Sequence, residues 1–188
     1  MRYRLLLLAL SVTGACAHPA RPRAPTRVVN CSFGPISDSA VAGLPIGATV
    51  ASVTAHCKVL MDTTGAGEEG LPERTLLVQI GLDTLVAVID SDRVWRIEIE
   101  SPRFRTRDSL HVGTRLSALL HDSSAHALIG EGSYYVVMRS HCGLSFALPH
   151  IELPEPGELR WAALRALPDT LRVQEILVVG CDFAERAT

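Results

Sequence analysis

Positive charge is not in excess in this sequence. Eighteen Lys and Arg stand against twenty Asp and Glu, a formal net charge of −2, and losing Arg2 and Arg4 with a leader makes it −4. Such a balance leaves no electrostatic footprint for nucleic acid, whose phosphates must be met by Lys and Arg. The apolar run Leu5–Val12 is far shorter than the roughly 20 residues that cross a bilayer, and no later run reaches that length. Aromatic residues are scarce, nine Phe, Tyr and Trp in 188 positions, so core packing claims most of them. The motifs G-x-S-x-G, H-E-x-x-H, P-loop and G-x-G-x-x-G are missing; Gly143-Leu-Ser145-Phe-Ala lacks the final glycine of the first. Gly65-x-Gly67 lies in a loop with Glu68 and Glu69, which would repel an anion. No small-molecule cofactor or metal is expected.

Hydrophobic residues at 47% and charged residues at 20% describe a globular domain. Its first residues read as an export signal. Arg2 and Arg4 form the positive region, Leu5–Val12 the apolar region, and Thr13-Gly14-Ala15-Cys16 a small-residue cleavage zone. The last four resemble a bacterial lipoprotein box, which would make Cys16 the lipidated N-terminus, although Thr13 stands where leucine is preferred. Ala15-Cys16-Ala17 also satisfies the A-x-A rule for ordinary secretion into the periplasm or beyond. The Pro-rich stretch that follows suits an extended tether between membrane and domain, which favours lipidation and an outer-membrane location facing the periplasm.

Four cysteines follow the leader: Cys31, Cys57, Cys142 and Cys181. An even number in an exported chain suggests disulfides. Cys31 precedes the first expected helix and Cys57 ends it, while Cys142 opens one strand and Cys181 closes the last. The expected bridges are Cys31–Cys57 and Cys142–Cys181. The alternative is a metal site built on His56-Cys57 and His141-Cys142, but no C-x-x-C pair supports it.

Leu110-His-Val-Gly113-Thr-Arg-Leu116-Ser-Ala-Leu119 aligns without a gap on Leu44-Pro-Ile-Gly47-Ala-Thr-Val50-Ala-Ser-Val53, 66 residues earlier. The final two apolar positions of each copy have helical spacing, with a glycine just ahead where the chain turns into the helix. Helices are expected at about 49–56 and 115–120, the second with Thr114 as N-cap. Residues 27–43 read as irregular. Strands are expected at Lys58–Thr63, Thr75–Gly81, Thr84–Ile89 and Arg93–Glu100, then at His126–Ile129, Tyr134–Arg139, Gly143–Leu148 and Leu171–Gly180. The fold class is therefore α+β: two tandem helix-plus-four-strand units sharing an antiparallel sheet, helices on one face. The expected organisation is a leader at 1–16, a tether at 17–30, units at 31–100 and 101–182, and a tail at 183–188. The second unit carries an insertion at 149–170, within which 158–167 reads as a short amphipathic helix with Trp161.

In Arg93–Glu100, Trp95, Ile97 and Ile99 are expected on the core face, and Arg96, Glu98 and Glu100 on a wet face. Glu98 and Glu100 lie about 7 Å apart along the strand, a spacing open to an acid/base pair or to a solvated face crossed by Arg96. His121 and His126 flank Asp122-Ser-Ser124, which reads as a polar turn or as a nucleophile–base pair. Arg103, Arg105 and Arg107 form a small basic run balanced by Glu98, Glu100 and Asp108. Arg96, Glu98, Tyr135, Arg139 and Trp161 are the candidate protein-binding residues.

The two glycine-led helix entries, Leu44–Val53 and Leu110–Leu119, resemble the beta-lactamase-inhibitory-protein-like fold, and Ser101-Pro-Arg-Phe-Arg-Thr106 before the second is similar to uncharacterised bacterial exported proteins of this general type. That fold is shared by small bacterial lipoproteins of outer-membrane assembly. Ser52 and Ser117 stand where the family often has an acidic residue, and the 149–170 insertion is extra. The resemblance implies helices over one face of a shared sheet, the open face meeting protein partners. The expected function is a non-catalytic, lipid-anchored envelope module that binds another envelope protein; the alternative is a small exported hydrolase with its site under the insertion.

Overall fold

β-branched and aliphatic residues alternating with polar ones dominate the middle of the chain, and these runs become long strands. The computed structural model describes residues 28–67, 70–130, 132–151 and 157–181. The leader with Cys16, most of the tether, Glu68, Glu69, residues 152–156 and the tail from 182 onward lie outside the described residues.

The first strands are β1 (Ile36–Ser37), β2 (Ala40–Val41) and β3 (Leu44–Pro45), and they form a small sheet in that order. These residues read as irregular in the sequence because two-residue strands are too short to show a period. Helix α1 (Val50–His56) follows, with Thr49 as N-cap accepting from the Ser52 amide. Next come β4 (Lys58–Ala66), β5 (Pro72–Ile80), β6 (Asp83–Asp90) and β7 (Arg93–Ile99), then α2 (Leu116–Leu119). The chain closes with β8 (His126–Gly130), β9 (Ser133–Met138), β10 (His141–Ala147), α3 (Trp161–Leu164) and β11 (Glu175–Val178). The main sheet has eight strands in the order β4-β5-β6-β7-β11-β10-β9-β8, every neighbouring pair antiparallel. The protein is thus mostly sheet with a few short helices, an α+β arrangement.

Gly47 and Gly113 both adopt positive φ, +83° and +94°, a region that penalises a Cβ. The Gly47 amide donates to Val94 O at 2.7 Å and that of Gly113 to Val173 O at 2.7 Å; Val94 and Val173 return bonds to Ala48 O and Thr114 O at 2.9 Å. Arg93 Nη1 caps the Gly47 carbonyl at 2.8 Å, and Arg172 Nη1 caps that of Gly113 at 2.9 Å. The two helix entries therefore make the same set of bonds, the first to the start of β7 and the second to the residues just ahead of β11.

Two helix expectations change. The N-cap of α2 is Arg115, without a side-chain cap, because the Thr114 hydroxyl instead accepts from the His111 amide at 2.9 Å. Among the described residues of 149–170, Trp161–Leu164 is the helical stretch, shorter than the expected 158–167. Leu159 ahead of it exchanges both backbone bonds with Ala127 on β8 (2.7 and 2.8 Å), so this stretch serves the sheet edge.

Val50 and Val53 of α1, Leu116 and Leu119 of α2, and Leu164 of α3 join one core cluster. The strands contribute Leu76, Val78, Ile97, Ile99, Phe146, Ile176 and Val178, all at most 1% exposed. Both expected disulfides form, Cys31–Cys57 and Cys142–Cys181, with Cα separations of 5.2 and 5.0 Å.

Candidate binding face

Strand side chains that do not enter the core face the other way, and the register places them in rows. Met61, Leu77, Val86, Glu98, Leu177 and Ser145 are successive cross-strand partners, from β4 across to β10. A second row runs Glu175, Ala147, Tyr135, Leu128. A third runs Thr63, Thr75, Val88, Arg96. In the first two rows this face is apolar on either side of a charged centre, and in the third Thr63 and Thr75 make the β4–β5 side polar.

The expected alternation of β7 holds at Ile97 and Ile99 and breaks at Trp95. The ladder pairs Val88 with Arg96 but Ile89 with Val94, so Trp95 is the extra residue of a β-bulge. Val94, 1% exposed, takes the core position in its place. Trp95 instead lies beneath the Arg96 guanidinium, 4.7 Å from the ring centroid. A second bulge on β4 makes Leu60 the extra residue beside Met61, and both are about half exposed (48% and 55%).

Arg96 is not the wet residue the alternation suggests: it is 9% exposed. Its Nη2 meets Glu98 Oε1 at 2.7 Å and stands 3.6 Å from Glu73 Oε2. Burial pushes the Glu98 carboxyl above its ordinary range, Arg96 pulls it down in part, and Glu73 and Glu100 raise it again. Glu175, one strand over, is raised by burial and then by repulsion from Glu98 and Glu100. The centre thus packs carboxylates closer than its arginine balances. Glu98 and Glu100 also line a concavity of about 480 Å³ walled by Leu77, Leu82, Val86 and Pro102.

Of the sequence candidates, Arg96, Glu98 and Tyr135 share this face. Arg139 lies in the β9–β10 turn, its amide donating to Ser124 Oγ at 2.9 Å. Trp161 is half-buried against the core, its Nε1 donating to Leu120 O at 3.1 Å and Arg165 covering its ring at 4.7 Å. Glu175 escaped sequence reasoning, because only the adjacency of β11 and β7 brings it to Glu98; its alternation with Leu177 against Ile176 and Val178 was the available signal.

The Asp122 turn does not assemble a nucleophile. Ser124 Oγ and Ser140 Oγ both donate to the Asp122 carboxylate at 2.6 Å, and His126 Nδ1 contacts the Ser124 carbonyl rather than its hydroxyl. Hydrogen bonds from Ser124, then Ser140, hold the Asp122 carboxyl far below the usual range. The group ties two turns together. Of the basic run, Arg103 pairs with Asp83 at 3.3 Å and Arg105 reaches His111 at 3.2 Å.

The fold is that of a mostly β, two-sheet α+β protein, and its likeness to a solved structure is one of fold. The uncharacterized protein YfeY from Escherichia coli superposes with a TM-score of 0.50 at 13% identity, covering 80% of this chain and 99% of that one. No protein-family model matches the chain. No curated protein matches it.

Proposed function

We propose that this protein is a non-catalytic module of the bacterial cell envelope, built from two tandem helix-plus-four-strand units, that binds another protein through the open sheet face. It is held to the membrane by a lipid on Cys16. The observation that carries the reading is the face itself: apolar rows, Met61, Leu77 and Val86 on one side and Leu177, Tyr135 and Leu128 on the other, around a centre where Glu98, Glu100 and Glu175 outnumber Arg96. Burying such a face costs little along the apolar rows and rewards a cationic contact at the centre, so the fitting partner presents Lys or Arg flanked by apolar residues. The matching bonds at Gly47 and Gly113 support the two-unit reading, which echoes the resemblance to the beta-lactamase-inhibitory-protein-like fold.

A photo-crosslinking residue placed at Leu77 or Leu177 in the native envelope is expected to give one discrete adduct. The same residue at Arg115, beside α2, is expected to give none. Equal adducts from both sides, or none from the open face, would remove the proposal. Palmitate labelling tests the anchor separately: Cys16→Ala is expected to abolish it, and equal labelling of both forms would end that part.

A further inference from the structure

A second cluster lies away from the open face, where the small sheet meets β10. The Asp38 carbonyl in the β1–β2 turn approaches Gly143 so closely that a side chain there would collide with it. This brings the Asp38 carboxylate to the Cys142–Cys181 disulfide. One oxygen of Asp38 and the two sulfurs lie within 4.8 Å of one another. Asp38 Oδ1 is buried and accepts no hydrogen bond among the described residues; His141 Nδ1 stands 3.9 Å from it. The other ring nitrogen, Nε2, meets Asp108 Oδ2 at 3.0 Å, and Asp108 is itself fixed by the Thr106 hydroxyl. A carboxylate holding the far nitrogen of a histidine is the arrangement that orients a metal-ligating imidazole.

We propose that reduction of the Cys142–Cys181 bridge opens a zinc site whose ligands are both sulfurs and an Asp38 oxygen, the fourth position being reached by His141 Nδ1, which stands beside Asp38 but outside the cluster that the other three form. A dithiol reductant supplies two electrons and two protons: the S–S bond breaks, two S–H groups form, and the dithiol closes to its own disulfide. Zn²⁺ then displaces both thiol protons to solvent and forms two Zn–S bonds. Tetrahedral Zn–S bonds of about 2.3 Å set the sulfurs about 3.8 Å apart, so they separate by only about 2 Å from a bonded pair. The Asp38 carboxylate beside them disfavours thiolates on their own and welcomes a dication with them. The other bridge lacks these parts: His56, next to Cys57, turns its Nδ1 back to the Ser52 carbonyl of its own helix at 2.9 Å.

The test uses the full chain, reduced with a phosphine and titrated with Co²⁺, whose thiolate charge-transfer and visible bands report the ligands, with circular dichroism to follow the fold. One Co²⁺ per chain is expected in the reduced protein, none in the oxidised one, with displacement by Zn²⁺ and tighter binding as pH rises. Asp38→Asn and His141→Gln are each expected to weaken binding at least about tenfold. The Cys31→Ser/Cys57→Ser variant is expected to bind as the parent does. Binding that survives Cys142→Ser/Cys181→Ser, affinity unchanged in both ligand variants, or a reduced chain that unfolds or binds no metal would overturn the proposal.

Discussion

Glu175 and Asp122 show how the same functional group takes opposite roles. Asp122 has its folded pKa depressed, so its stabilisation is present above the unfolded value and is lost as pH falls through the folded one. Glu175 has its folded pKa raised, so it costs stability at neutral pH, and the cost fades as pH falls below the unfolded value of about 4.5. Glu175→Gln is therefore expected to raise Tm at pH 7 by about 1–3 °C, a figure kept small because the residue is only partly buried. The gain should disappear by about pH 4 in a pH series of thermal melts; an undiminished gain there would mean that charge is not the cause. A residue that weakens the fold and stays half-buried at the centre of an open face fits a surface shaped for contact. Trp95 makes a different point. A strict period of two assigned it to the core, and one extra residue in the ladder moved it to the opposite side, which no local pattern signals.

Among elements, the long strands and both glycine-led helix entries were legible because each carries its own period or turn residue. The small sheet was not: its strands have two residues each, and its position depends on distant bonds such as Ile36 N to Arg105 O at 2.8 Å. The 158–167 segment read as helix. Leu159 is extended instead because β8 offers an unpaired edge, and pairing with Ala127 satisfies backbone groups that a helix would leave beside open ones. Leu159→Pro removes the amide that donates to Ala127 O. It is expected to leave the far-ultraviolet spectrum nearly unchanged while raising light scattering on concentration or mild heating. Scattering equal to the parent's would show that this edge needs no cover.

For the whole molecule, the sheet order was beyond reach of the sequence, because β7 and β11 meet across α2, β8, β9, β10 and α3. The composition of the face follows from that meeting, which explains why Glu98 was found and its neighbour Glu175 was not. The disulfides were readable from where each cysteine falls relative to a helix or strand end. Cys31–Cys57 and Cys142–Cys181 close loops of 26 and 39 residues in sequence separation. On the chain-entropy model each stabilises by about 3–4 kcal/mol. Cys31→Ser/Cys57→Ser is accordingly expected to lower Tm by about 6–15 °C. A fall of only a degree or two in differential scanning calorimetry would mean that the unfolded chain is already constrained there.

The cap at Leu159 also makes the two ends of the sheet unequal. With β8 blocked at Ala127 by its bridge to Leu159, and β4 left without such a bridge as the other terminal strand among the described residues, β4 is the more open edge for a second copy of this chain. Joining through β4 is satisfied by a head-to-head pair, whereas two equally open ends would let copies accumulate into a fibre.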